Sequence, residues 1–233
     1  PPPLRDAAVE AGFESVWIRP VTVASSTDVQ AVLVVWSRLQ GLPSPNQEDH
    51  LREAVSIASL AFGKVLLMDR LTHAAEHDPL TGLANRSKLH SGMAEDEPEE
   101  ISVIYMDLDG FKSVNDRLGH DAGDEVLIAV AERISSTLRQ HDDVARVGGD
   151  EFVAVLRRLP SPDIAATVAE RIAMAVSHPI NVRDTQICVE VSMGVAHGRT
   201  GDDFAELVRS ADLAMLDSKK ARRRSIQEPE NRR

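Results

Sequence analysis

The chain is short of three things, and each shortage excludes something. It carries one cysteine, Cys188, in 233 residues. No intrachain disulfide can brace it, and the apolar stretch around that residue predicts a buried thiol. Bases are also few: 26 lysines and arginines stand against 37 aspartates and glutamates, a formal net charge of −11. Such a surface argues against broad binding to nucleic acid or an anionic membrane, and a nucleotide site would need metal ions and local basic groups to overcome the field. Long apolar runs are missing too, and no signal peptide is visible, so a cytoplasmic protein with no membrane partner is expected. The remaining balance, 42% hydrophobic and 27% charged, suits a soluble globular chain long enough for one full core and a smaller accessory piece. Three prolines open the sequence in place of an initiator methionine, as expected of a fragment of a longer polypeptide.

What is present concentrates in Arg146-Val147-Gly148-Gly149-Asp150-Glu151-Phe152-Val153. Two glycines and two adjacent carboxylates lie between apolar, strand-forming flanks, which predicts a β-hairpin whose glycines accept positive φ. A turn bare of side chains lets a bulky ligand approach the backbone, with acids at its edge to hold a metal-bound triphosphate. An ordinary surface hairpin with solvated acids would look the same. A second acid pair tips the choice. Residues 101–109 read Ile-Ser-Val-Ile-Tyr-Met-Asp-Leu-Asp, a buried strand ending in carboxylates. Asp107 and Asp109 are expected on opposite faces, or where strand gives way to loop, so that only one readily shares a site with the hairpin acid. One carboxylate from each of two neighbouring strands, with substrate phosphates and water, is what Mg²⁺ commonly takes.

Residues 1–45 hold two strand-like runs, 15–18 and 29–36, too little to bury a core alone. From 46 to about 76, Leu51, Val55, Leu60, Phe62, Val65, Leu66, Met68 and Leu71 recur on one broad helical face. That helix either closes the N-terminal piece or forms a parallel two-helix connector, and its direct run into Asp78 favours the connector. Beyond it, helices are predicted over 85–94, 119–139, 162–177 and 202–221. Strands are predicted over 101–108, 143–147, 151–157 and 186–196. The mixture is an α+β fold, a central, mostly antiparallel sheet flanked by helices.

Several ordered motifs at this spacing resemble the GGDEF-domain diguanylate cyclases, which condense two GTP into cyclic di-GMP and release two pyrophosphates. The likeness runs over residues 77–221. It takes in Asp78-Pro79-Leu80-Thr81-Gly82-Leu83-Ala84-Asn85-Arg86 and Asp107-Leu108-Asp109-Gly110-Phe111-Lys112-Ser113-Val114-Asn115-Asp116. It continues with Gly119-His120-Asp121-Ala122-Gly123-Asp124, the hairpin, Ser192-Met193-Gly194-Val195-Ala196, and Ala211-Asp212 through Lys219. A fold similar to nucleotidyl-cyclase and polymerase palm domains is implied. More loosely, the N-terminal residues resemble the end of a GAF sensory domain. The implied division is a partial GAF-like segment (1–45), a connector helix (46–76), a GGDEF domain (77–225) and a tail (226–233).

By that resemblance, Asp107, the Leu108 carbonyl and Asp150 hold Mg²⁺ (or Mn²⁺), and Asp150 and Glu151 are the catalytic acids; the expected strand alternation leaves Asp109 to a structural salt bridge. Asn115 and Asp124 recognise guanine: the carboxylate accepts from the N1–H and exocyclic amine, and the amide donates to a ring acceptor. Taken alone, they would be a helix C-cap and an early-helix acid. Gly148 and Gly149 admit the substrate, and the backbone of Phe111 and Lys112 cradles phosphate. Lys219 and Arg223, four apart on the last helix, also contact phosphate. That helix departs from the family pattern, with Leu216 where Tyr is common, Arg222 for a Gly and Arg224 for an Asn. Its basic run equally suits a helix end favoured by the macrodipole. Arg139 and Asp142 fit the family's Arg-x-x-Asp inhibitory site for cyclic di-GMP, with Arg171 as a further contact, and a helix-end Arg followed by a turn Asp is the plainer alternative. The implied whole is a homodimeric, product-inhibited cyclase acting on GTP across a two-fold axis. The alternative is a catalytically silent GGDEF domain that binds GTP or cyclic di-GMP as a regulatory module.

Overall fold

The computed structural model describes residues 2–23, 29–92 and 99–227, with side chains described over 6–23, 29–92 and 99–220. The chain divides into two compact units, Pro1–Thr72 and His73–Arg233.

The first unit holds helix α1 (Pro2–Glu10), which sequence patterning did not reveal, then strands β1 (Ser15–Thr22) and β2 (Val29–Ser37) paired antiparallel, and most of helix α2 (Pro45–Glu76). A capping box starts α2: the Ser44 N–H donates to Gln47 Oε1 (2.9 Å) and the Gln47 N–H to Ser44 Oγ (3.4 Å). Of its apolar residues only Leu51 is buried, while Leu60, Val65, Met68 and Leu71 are each more than half exposed.

The second unit is built on a five-stranded sheet. Across it run β3 (Ala84–Asn85), β5 (Asp143–Arg146), β6 (Glu151–Arg157), β4 (Glu100–Asp109) and β9 (Glu190–Arg199), antiparallel except for the β3–β5 pair. The apolar run of β4 is buried on both faces because helices cover both. Helices α4 (Phe111–Leu118), α5 (His120–Thr137) and α6 (Asp163–Ser177) lie with Ile104, Met106, Leu108, Phe152 and Leu156 in one core. Helices α3 (Arg86–Gly92) and α7 (Phe204–Gln227) lie with Val103, Tyr105, Val153 and Val155 in the other. Each such side chain contributes about 1.5–3 kcal/mol by leaving water. This central strand with buried neighbours fixes the position of everything at its C-terminal end.

The strand expected over 186–196 is two pieces. Thr185–Ile187 (β8) pairs with Ile180–Val182 (β7) in a small hairpin, and β9 starts at Glu190. The expected burial of Cys188 is also corrected: its thiol is exposed. Ile187 and Val189 on either side are buried, so alternation along the chain turns the residue between them outward.

Candidate active site

The C-terminal end of β4, the β5–β6 loop, and helices α4 and α7 carry the residues in question. Asp107 is the register partner of Glu151 across β4 and β6, and the Leu108 N–H donates to the Asp150 carbonyl at 3.2 Å. Main-chain pairing therefore ties the hairpin loop to the end of the central strand. Asp107 and Asp109 share a face, which corrects the expectation of opposite faces: side chains on a strand repeat every second residue. Lys219 on α7 serves both, hydrogen-bonding Asp107 Oδ1 and lying 3.2 Å from Asp109 Oδ1. Ser192 Oγ donates to Asp109 Oδ2 at 2.6 Å. Asp109 is thus a salt-bridge partner, and the ammonium expected on phosphate rests on carboxylates.

Burial, and then the Asp107 carboxylate, push the Asp150 carboxyl above its ordinary value, while its own backbone, Lys219 and Arg146 pull the other way. Burial also works against charge on Lys219, yet Asp107 and Asp109 outweigh it and raise that pKa. Two like charges sharing one ammonium form an anionic corner that a hard cation would relieve. The donor set fits Mg²⁺ or Mn²⁺: two carboxylates and the Leu108 carbonyl, all oxygens. No group of three or more His, Cys, Asp or Glu among the described residues is gathered to hold a metal.

The Val147 N–H donates to the Glu151 carbonyl at 3.0 Å and closes the loop. Neither Gly148 nor Gly149 has a left-handed φ, so the turn does not need them in the way predicted. Gly148 is a matter of space, since a Cβ there would lie 2.2 Å from Glu151 Oε2, whereas one on Gly149 would meet nothing within 4 Å. One glycine lets Glu151 fold back over the turn, and the other leaves the outer side of the turn bare.

Arg146, given no role by sequence reasoning, clamps this loop. Its Nε and Nη2 donate to the Gly149 carbonyl at 3.0 and 2.7 Å, and its Nη1 reaches both Asp78 oxygens at 2.9 and 3.2 Å. The Thr81 amide and hydroxyl donate to Asp78 Oδ1 at 2.9 and 2.7 Å. The entry motif and the hairpin, far apart in sequence, are one polar network. Both halves lie inside quoted motifs, but nothing in either motif announces the other as its partner.

Helix α4 begins at Gly110, whose φ of 77° is left-handed and lets β4 turn sharply into the helix. Phe111 is buried and Lys112 exposed. Asn115 lies in the last turn of α4 and is not its cap: Gly119 caps the helix and donates to the Asn115 carbonyl. Among the described residues, Asn115 Oδ1 is a buried side-chain oxygen without a hydrogen-bond partner. A Cβ on Gly123 would stand 1.9 Å from it, so glycine there is what admits the amide. Asp124 follows on α5 and is exposed. An orphaned buried acceptor costs about 1–3 kcal/mol, a burden typical of binding surfaces more than of cores.

At the other candidate site, Asp142 serves its own turn. The Arg139 N–H donates to Asp142 Oδ2 (2.9 Å) and the Arg157 N–H to Asp142 Oδ1 (3.1 Å), while the Arg139 side chain is exposed. Arg171 Nη2 donates to the Thr137 carbonyl at 2.7 Å. Arg223 falls within α7, but its side chain lies outside the described residues, as do positions 228–233 of the tail. No helix among the described residues is long and apolar enough to cross a membrane.

Residues 75–225 match the family described as "Diguanylate cyclase, GGDEF domain". The diguanylate cyclase TpbB of Pseudomonas aeruginosa is 39% identical over 163 residues, covering 66% of this chain and 38% of that protein. The bifunctional diguanylate cyclase/cyclic di-GMP phosphodiesterase MucR of the same organism is 34% identical over 219 residues, 91% of this chain and 30% of that protein. Among solved structures, the coiled coil and GGDEF domain of DgcB from Caulobacter crescentus, in complex with c-di-GMP, is similar with a TM-score of 0.66 at 28% identity, covering 75% of this chain and 96% of that one. Diguanylate cyclase SiaD of Pseudomonas aeruginosa, in complex with its activator SiaC, gives 0.59 at 32% identity, over 76% and 72%. The chain spans 38% and 30% of the lengths of the two curated relatives.

Proposed function

This chain belongs to the GGDEF family of diguanylate cyclase domains, and we propose that it condenses two GTP into cyclic di-GMP and two pyrophosphates across a two-fold interface between copies. The observation that carries this proposal is that strand pairing sets Asp107 beside the hairpin acids, Asp107 opposite Glu151 and the Leu108 N–H on the Asp150 carbonyl at 3.2 Å. Those two acids and the Leu108 carbonyl would hold Mg²⁺ (or Mn²⁺), which when bound neutralises the triphosphate and activates the ribose hydroxyl. Asn115 and Asp124 orient guanine. Gly149 leaves the outer side of the turn clear for the nucleotide, Glu151 stands at its edge, and Lys219 keeps positive charge beside the acids.

One domain holds one GTP, and ring closure needs two arranged antiparallel, so two copies must face each other. The exposed apolar residues of α2 support a parallel helical pair as the means of bringing them together. The same proposal takes residues 1–45 as part of a GAF-like sensor, the site of action as the cytoplasm, and Arg139 with Asp142 as the place where product inhibits.

The test is product analysis of the purified chain incubated with GTP and Mg²⁺. Cyclic di-GMP and pyrophosphate are expected, and Asp150→Ala abolishes both. No turnover at high protein concentration refutes the proposal. One observation favours the silent-module alternative: Lys219 is engaged by Asp107 and Asp109, on a helix whose end departs from the family pattern. Tight nucleotide binding by calorimetry without product would select it.

A further inference from the structure

Tyr105 has no part in the site so far. It lies on β4 two residues before Asp107, and its partner on β6 is Val153, as Asp107's is Glu151. Residues two apart on a strand share a face, and so do cross-strand partners. Tyr105 and Glu151 are therefore diagonal neighbours on the face covered by α3 and α7. The tyrosine is 5% exposed, in one core with Val103, Val153 and Met215, and the register sets its ring on the same side as the Glu151 carboxylate. Burial first, and then the Glu151 charge, keep that phenol protonated far beyond its ordinary range; Asp212 on α7 adds to the effect and Arg86 on α3 opposes it.

On its other side the carboxylate meets the bare Gly148, where a Cβ would fall 2.2 Å from Oε2. Beside the pair is a cavity of about 210 Å³ lined by Arg86, His90, Tyr105, Val147, Arg209 and Asp212. We propose that Tyr105 is a positioning residue for the cyclase reaction, its hydroxyl donating to Glu151 and fixing that carboxylate at the edge of the hairpin. The inference rests on the cyclase reading, in which Glu151 acts on the bound nucleotide.

Tyr105→Phe keeps the ring and removes only the donor. The expected result is a fall in kcat of about tenfold with KM for GTP within about twofold and little change in melting temperature. The decisive readout is the same substitution in a Glu151→Asp background, where the shorter acid keeps its charge but loses its reach to the phenol. There Tyr105→Phe is expected to have no further effect on kcat, since one residue acts through the other. An active wild type with an unaffected Tyr105→Phe variant overturns this inference alone, as does a tenfold loss repeated in full in the Glu151→Asp background. A wild-type chain that makes no cyclic di-GMP overturns the cyclase reading, and the inference with it.

Discussion

Gly194→Ala puts the docking of α7 on β9 to a direct test. A Cβ at this position would lie 2.1 Å from the Met215 nitrogen, 2.2 Å from the Ala211 carbonyl oxygen and 2.8 Å from the Ala214 carbonyl carbon. All three are main-chain atoms, so no side chain can rotate out of the way. Ordinary contact begins near 3.4 Å, and the helix must therefore retreat by about 1.3 Å, or the strand bow, in an interior that is close-packed. Retreat loosens Leu207, Ala211 and Met215, all buried, from the sheet. Overpacking of this kind, with part of a core pulled open, costs about 2–4 kcal/mol. At about 2–4 °C per kcal/mol for a unit of this size, melting falls by about 4–16 °C. Lys219 stands one turn beyond Met215, so the same movement draws its ammonium from Asp107 and Asp109, and cyclic di-GMP synthesis at 25 °C falls as well. Gly149→Ala is the contrasting variant: its Cβ enters open space on a φ that is not left-handed. Its melting temperature is expected to stay within about 1 °C of wild type, with turnover lost because the nucleotide's path is narrowed. A Gly194→Ala chain that melts and turns over like wild type would refute the close docking of α7.

Three further outcomes are expected. Burial raises the Asp78 carboxyl, but hydrogen bonds from Thr81, and then Arg146, outweigh it and hold the folded-state pKa below the ordinary carboxylate range. The unfolded chain therefore binds this proton more readily, so the stabilisation is whole above about pH 4 and is lost as pH falls through the folded value. Denaturant melts of wild type and Asp78→Asn should differ by about 1–3 kcal/mol at pH 7 and converge as acid takes the carboxyl below its folded value, and a gap independent of pH would contradict the linkage. Competition between GTP and inosine triphosphate, which lacks the exocyclic amine, tests the guanine pair: wild type is expected to favour GTP by about tenfold in kcat/KM, and Asp124→Asn to erase the preference. Equal discrimination in both proteins would remove Asp124 from base recognition. Arg139→Ala is expected to weaken inhibition by added cyclic di-GMP by about tenfold or more while leaving initial turnover intact; unchanged inhibition would assign Arg139 to the turn alone.

The elements legible in the sequence are those with a long, regular pattern. Residues 101–106 are an unbroken run that is buried on both faces of the sheet, and α5 and α6 carry inner faces at helical spacing. The β7–β8 hairpin was not legible: its strands are three residues each, too short for a period to emerge against flanking polar residues. At the site, the acids could be picked out by type and context, yet the face that Asp109 takes depends on β4 continuing through Asp109 in its ladder with β9. Setting residues two apart on opposite faces, or ending the strand before Asp109, hid that. Arg146 and Asp78 could not be paired from either motif alone, because their bond is made only when β5 lies beside the entry segment. The glycines show the limit most clearly. A sequence offers one reason for glycine in a turn, a φ that other residues avoid, and in this loop that reason does not operate. Gly148 faces a carboxylate three residues on, a closeness that exists only once Glu151 has folded back. Gly149 is crowded by nothing in the chain, and neither φ nor packing demands it. A residue whose smallness the protein's own atoms do not use is best explained by something that arrives from outside, and the loss of turnover without loss of stability in Gly149→Ala is the outcome that would place the nucleotide there.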